Sequence, residues 1–132
     1  MKFKIAISPG ELIDKITILE IKKKKVKEAA KLKLVKHELL QLTSALNKYG
    51  KTSAAAKAAI KRERAKLYNI NLRLWNIEDK IRKKESLGKF DKEFIKLARS
   101  VYITNDKRSG VKNAINDLCG SEVKEVKQYS AY

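Results

Sequence analysis

The sequence contains very few of the residues that build loop-rich or disulfide-bonded folds. Its 132 residues include one cysteine, one proline and five glycines. A single cysteine, Cys119, excludes an internal disulfide framework and favours a reducing compartment. So little proline and glycine leaves few of the turns that a loop-rich β fold requires. These absences favour an all-α protein and a cytoplasmic location.

Long apolar runs and chemistry-bearing motifs are also missing. No stretch approaches the roughly 18–20 apolar residues that a membrane-spanning helix needs, and residues 1–7 are too short for the apolar region of a signal peptide. The one histidine, His37, and Cys119 do not form a zinc motif, and no glycine-rich phosphate loop is present. We therefore expect no membrane span, no metal and no cofactor, and the sequence favours a non-enzymatic protein.

Negative charge is scarce, because 32 lysines and arginines face only 15 acidic residues, for a net charge of +17. A basic surface favours nucleic-acid binding through counterion release. Only six of the 32 are arginine, the residue preferred for bidentate phosphate contacts. Abundant Lys, Ile and Asn are also typical of an AT-rich genome, which we favour as the explanation. The candidate basic surface comprises Lys22, Lys23, Lys24, Lys25, Lys27, Lys61, Arg62 and Arg64.

Helical periodicity begins immediately after residues 8–11, Ser-Pro-Gly-Glu. Ser8 and Glu11 can form a reciprocal capping box, and Pro9 suits the first helical position. An apolar stripe that starts at Leu12, Ile16 and Leu19 changes phase near residues 27–31. The phase change predicts a break between two helices, with one bent helix as the alternative.

Two further helices follow in the second half of the chain. Residues 49–53 predict a turn, after which apolar residues repeat every three or four positions from Ala56 to Ile81. This pattern is typical of a bundle helix or a coiled coil. Residues 86–88 end the third helix, Asp91 caps the fourth, and Gly120 ends the fourth.

The predicted fold is an all-α antiparallel bundle of about four helices, in a single domain over residues 1–132. Residues 1–8 are expected to form a short strand or an extended arm. Residues 121–132 form a C-terminal tail that carries Tyr129 and Tyr132, which either dock on the bundle or remain free.

Polar residues interrupt the apolar face of the fourth helix at Asn105 and Arg108. Buried polar groups need partners, and the candidates are Asp14 on the first helix and Glu78 or Asp79 on the third. Glu78 can also pair with Arg82 four residues later. A salt-bridge network that fixes helix register is the favoured interpretation, and a ligand pocket is the alternative. The candidate polar cluster comprises Asp14, Glu78, Arg82, Asn105, Asp106 and Arg108.

Several segments resemble a family of small uncharacterised helical proteins from bacteria and viruses. The most specific is residues 8–22, which follow the pattern S-x-GELIDKITILEIK, and further similar segments are 71–82, 94–102, 105–108 and 125–132. The resemblance implies no established activity. It implies a loose association with cell-surface polysaccharide or glycosyltransferase genes, beside which the family's genes are often found. The lysine-rich connecting helices depart from the family and suit a marine microbe or its phage.

Three functions remain open at this point. The favoured one is a non-enzymatic helical interaction or adaptor module whose partner is another protein or a second copy of the chain. The second is sequence-independent nucleic-acid binding through the lysine-rich helices. The third is a small-molecule site in the polar cluster.

Overall fold

In a computed structural model that describes residues 1–48 and 53–132, these residues form helices and no strand. The four helices are α1 (Pro9–Lys25), α2 (Ala29–Lys48), α3 (Ala54–Ser86) and α4 (Lys92–Leu118). The prediction of an all-α bundle of about four helices is confirmed. The predicted break lies at residues 26–28, between α1 and α2. The turn predicted at residues 49–53 lies almost entirely outside the described residues.

Side-chain caps begin three of the helices. The Ser8 hydroxyl accepts a hydrogen bond from the Glu11 amide at 3.1 Å, and Ser53 and Asp91 act in the same way at α3 and α4. Each cap satisfies an amide that has no partner within its own helix. The predicted capping box includes a second hydrogen bond, from the Ser8 amide to the Glu11 carboxylate. In the structure this carboxylate instead contacts Lys112 Nζ at 2.7 Å.

Glycines with positive φ end α3 and α4. Gly88 has φ +63° and Gly120 has φ +62°, a conformation that a side chain disfavours. Lys84 stabilises the connection between α3 and α4, because its ammonium lies 2.8 Å from Asp91 and 2.9 Å from Glu93. Helix α4 continues without interruption through the polar segment 103–110.

Among the described residues, helix α1 is the centre of the bundle, since it packs against all three other helices, whereas the backbone of α2 lies close to that of α1 alone. Gly10 contacts Asn116 and Asp14 contacts Arg108, so α1 and α4 run antiparallel. Helices α3 and α4 form a second antiparallel pair. This arrangement surrounds α1 with neighbours on several sides.

The core of the described residues is small and half polar. Seven hydrophobic residues are buried, and they are outnumbered by eight buried polar or charged residues. Ile13, Leu67 and Ile115 form the central apolar contact between α1, α3 and α4. The apolar stripe predicted for α1 covers only part of the surface that this helix buries. Ile13, Asp14 and other residues beside the stripe are buried as well. A helix with three neighbours must bury more than one face.

The two ends of the chain lie outside the helices. Residues 1–7 form no helix or strand, and Phe3 and Ile5 are exposed. The tail returns along α4, where Lys127 lies 3.2 Å from Asp106 and the Tyr132 hydroxyl donates to the same carboxylate. Val126 and Tyr129 are exposed, so the tail contacts α4 through its ion pairs, through Tyr132 and through the Glu125 carbonyl, which accepts from Asn113 Nδ2 at 3.2 Å.

Candidate functional site

The centre of the candidate site is Asp14, whose side chain is only 1% exposed. Arg108 of α4 donates to both carboxylate oxygens, from Nε to Oδ1 at 2.9 Å and from Nη2 to Oδ2. This two-point geometry suits a guanidinium and a carboxylate, and it compensates the buried charge. The predicted meeting of α1 with the polar segment of α4 is therefore present in the structure.

Asn71 of α3 completes the environment of Asp14. Its Nδ2 donates to Asp14 Oδ1 and to Thr17 Oγ1, both at 2.9 Å. Thr17 in turn donates to the Asp14 carbonyl oxygen at 2.8 Å. The sequence reasoning missed Asn71 and Thr17. Asn71 lies among the apolar residues of α3, so the argument applied to Asn105 and Arg108 would also have found it.

Arg108 is held on one edge and open on the other. Its hydrogen bonds with Asp14 raise the pKa of Arg108 further above its usual range, against the opposing effect of burial, so the guanidinium stays charged. Its Nη1 lies 3.5 Å from Asn105 Oδ1, longer than an ordinary hydrogen bond. With 27% of the side chain exposed, the guanidinium presents this second edge to a neighbouring cleft.

That cleft has a volume of about 490 Å³ and lies between α1, α3 and α4. Glu78 and Arg82 form an ion pair of 3.1 Å at its border. Its size falls within the range of ordinary ligand pockets. Its lining combines an apolar part (Ile18, Ile21, Leu74 and Trp75) with a polar part (Asn71, Glu78, Asp79, Arg82, Asn105 and Arg108).

The predicted six-residue cluster therefore divides into three groups. Asp14, Asn105 and Arg108 are in contact, while Glu78 and Arg82 border the same cleft. Asp106 lies apart from the cleft and contacts the tail. Hydrogen bonds from Tyr132 and Lys127 lower the pKa of the Asp106 carboxyl below 3.8.

The candidate basic surface consists of residues between positions 22 and 27 and residues between positions 61 and 64, and the structure brings these two groups close together. Arg64 of α3 pairs with Glu20 of α1, and Lys24 donates to the Tyr68 hydroxyl at 3.2 Å. The charge of Arg64 is therefore compensated, and its side chain is 35% exposed. Lys22 is partly buried, and the remaining members are exposed: Lys23, Lys24, Lys25, Lys27, Lys61 and Arg62.

A second buried charge, Lys112 of α4, was not predicted from the sequence. Its ammonium lies 2.7 Å from Glu11 and 2.9 Å from Glu125 of the tail, and only 8% of the side chain is exposed. Burial alone would lower the pKa of Lys112, but hydrogen bonds to Glu11 and Glu125 outweigh it and raise the pKa above 10.5. The same contact lowers the pKa of Glu125.

Gly10 allows α1 and α4 to approach closely at this position. A Cβ atom there would lie 2.3 Å from the Lys112 carbonyl oxygen, a distance that forces the backbone apart. The Gly10 amide donates to Asn116 Oδ1 at 2.7 Å, while Asn116 Nδ2 is buried without a partner among the described residues. The glycine of the opening motif is therefore required for the close packing of α1 against α4.

Metal binding and membrane insertion each require a recognisable arrangement of residues. Within residues 1–48 and 53–132, no group of three or more His, Cys, Asp or Glu side chains is placed to bind a metal ion. None of the helices in the same ranges is long and apolar enough to cross a membrane.

Comparison with known protein families gives one match, which covers residues 3–132 and is described as a family of unknown function (DUF6165). The chain belongs to this family. The expected membership of an uncharacterised family is thereby confirmed. No curated protein and no solved structure matches the chain.

Proposed function

We propose that this DUF6165 protein is a non-enzymatic helical interaction module that pairs with a second copy of itself through α2. The observation that carries the proposal is the incomplete packing of this helix. Helix α2 has 20 residues and none of them is buried. It packs against α1 and against no other helix of the described chain.

The apolar residues of α2 have the spacing of a helix–helix seam. Leu32, Val35, Leu39, Leu42 and Leu46 alternate steps of three and four and are all only partly buried. This is the a/d pattern with which helices pair along their length. Outside the seam, Leu34 and Leu40 remain 71% and 67% exposed. The side chains of α2 therefore offer more apolar surface than α1 covers.

The total surface of the chain also favours association. The accessible surface is 9890 Å². A folded monomer of 15.1 kDa exposes roughly 7,100 Å². Part of the excess belongs to the extended ends, but the difference is several times the roughly 800 Å² that each partner loses in a standard interface. A copy of the chain supplies an equally incomplete helix, so the two α2 helices can cover each other.

The net charge of +17 opposes this pairing, and salt screens the repulsion. We therefore expect self-association to strengthen as salt is added. Nucleic-acid binding has the opposite dependence, because counterion release weakens as salt rises. Measurements of self-association and of nucleic-acid binding at low and at high salt therefore distinguish the two functions.

Light scattering coupled to size-exclusion chromatography tests the proposal. We expect the wild-type mass to approach twice 15.1 kDa at about 100 μM protein and about 0.3 M salt. Leu34→Glu with Leu40→Glu should return the mass to that of the monomer. Leu87→Glu, which changes an equally exposed leucine at the end of α3, is the matched control. A monomeric wild type, or an equal effect of the control, would contradict self-association through α2.

Nucleic-acid binding is the second candidate, and the proximity of Lys24 to Tyr68 supports it, since basic and aromatic groups together suit single strands. Anisotropy of a labelled oligonucleotide at about 50 mM and about 200 mM salt tests it. Tight binding that Lys61→Gln with Arg62→Gln abolishes would favour this function. Binding that persists in the double variant, or none at low salt, would count against it.

A cytoplasmic location, and a role near cell-surface polysaccharide enzymes, are further parts of the proposal. They rest on the single cysteine and on the family resemblance.

A further inference from the structure

The cleft between α1, α3 and α4 carries a second inference, independent of α2. We propose that it binds a small organic anion, with a carboxylate or phosphate at the free edge of Arg108 and an apolar or planar body against Trp75 and Leu74. The supporting observations are the way the two guanidiniums are held and the lining of the cleft.

Arg108 is positioned in advance of any ligand. Two of its donors are bound to Asp14, itself held by Asn71, so the guanidinium plane is fixed. Within the described residues, Nη1 has only the 3.5 Å contact with Asn105 Oδ1. A ligand oxygen at this edge would accept a hydrogen bond from a guanidinium that folding has already ordered. Binding would therefore cost little additional side-chain entropy.

Arg82 supplies the second cation at the border of the cleft. It uses Nε to bind Glu78 at 3.1 Å, and its side chain is 80% exposed. Within the described residues its two Nη groups make no hydrogen bond, so they are available to an oxygen acceptor. This second guanidinium adds positive charge at the border of the cleft, which favours an anion over a cation inside it.

The acidic residues of the cleft do not exclude an anion. Asp14 is compensated by Arg108, Glu78 by Arg82, and Asp79 by Lys83 at 3.3 Å. The lining is therefore close to neutral, and the overall charge of +17 sets the sign of the surrounding potential. This potential favours the entry of anions over cations.

The apolar lining selects the rest of the ligand. Ile18, Ile21, Leu74 and Trp75 form a continuous lining on α1 and α3, and the volume of about 490 Å³ accommodates a small aromatic compound. Trp75 is the only tryptophan in the sequence, so its fluorescence reports directly on this cleft.

Titration of Trp75 emission with 3-phenylpropionate and with phenyl phosphate tests the proposal, and 3-phenylpropan-1-ol is the uncharged control. We expect at least one anion to saturate with Kd below about 1 mM, and the alcohol to bind at least about tenfold more weakly. The stronger anion then identifies the carboxylate or the phosphate as the preferred group. No saturable change up to about 10 mM of either anion, or equal binding of the alcohol, would overturn the proposal.

Two matched variants separate the cleft from general charge effects. Arg82→Gln should weaken the anion about fivefold without changing the melting temperature, because this side chain is exposed. Arg73→Gln, on the same helix but outside this cleft, should leave the affinity unchanged. Equal losses in both variants would show attraction to the net charge alone and would overturn the site.

Discussion

The crossing of α1, α3 and α4 and the outer helix α2 hold the same bundle together by different means. The crossing buries Asp14, Asn71, Lys112 and Asn116 beside a small apolar contact. No residue of α2 is fully buried, and this helix is held by partly covered leucines. Buried polar pairs specify register strongly because a misaligned pair is left without partners, whereas leucines tolerate small shifts. Buried polar contacts thus fix the register of the central helices, whereas the outer helix retains exposed apolar side chains.

The largest expected effect comes from breaking the central ion pair. Asp14→Ala leaves Arg108 without its partner, and we expect a loss of about 3 kcal/mol in the free energy of unfolding. Asp14→Leu with Arg108→Leu should lose less, because it leaves no uncompensated charge. Urea unfolding of both variants measures the difference. A loss below about 1 kcal/mol in Asp14→Ala would show that this crossing is held mainly by its apolar contacts.

The next effect concerns the close approach of α1 and α4. Gly10→Ala places a Cβ 2.3 Å from a backbone oxygen, so we expect a destabilisation of about 1–3 kcal/mol. Gly110→Ala is the control, since nothing lies within 4 Å of its Cβ and alanine favours a helix interior. That variant should be stabilised by up to about 1 kcal/mol. Thermal unfolding compares the two, and destabilisation of both would contradict the packing argument.

A smaller effect is expected where the tail meets the crossing. The contact with Lys112 lowers the pKa of Glu125 below 4.5, so its contribution is present above pH 4.5 and is lost as the pH falls further. The Glu125 side chain is 36% exposed, so solvent screens the pair in part and we expect less than about 1 kcal/mol. Unfolding between pH 7 and pH 3 measures the loss, which Glu125→Gln should reduce. An unchanged pH dependence in that variant would assign the effect to other carboxylates.

The smallest effect on stability is expected at α2. In Leu34→Glu with Leu40→Glu, the monomer should change its free energy of unfolding by less than about 0.5 kcal/mol per site, because both side chains are exposed. Urea unfolding at dilute, monomeric concentration measures this. A large loss would show that the two leucines stabilise the fold of α2, and the contrast between the two regions would disappear.

The helix starts could be predicted because each depends on a few neighbouring residues. Ser8, Ser53 and Asp91 cap their helices through an amide three positions ahead, with no help from distant parts of the chain. The break between α1 and α2 was visible for a similar reason, as a change in the phase of the apolar stripe. Both signals are local, and both appear in the structure.

The candidate site was only partly predictable. Asn105 and Arg108 interrupted an apolar face, which indicated a buried partner, and Asp14 is that partner. Asp106 was grouped with them because it is adjacent in sequence, yet the helix turns it toward the tail. Lys112 gave no signal, because a lysine in a lysine-rich helix is usually solvated, and its burial depends on Glu11 and Glu125 from distant positions.

The sequence by itself determined the all-α class, the positions of the helix caps and the glycine stops, since these follow from interactions within a few residues. Only the tertiary structure decided that α1 is central, that Gly10 lets α4 approach closely, and that no residue of α2 is fully buried. These features depend on which helices meet, and that choice is made by contacts between residues as far apart as Asp14 and Arg108.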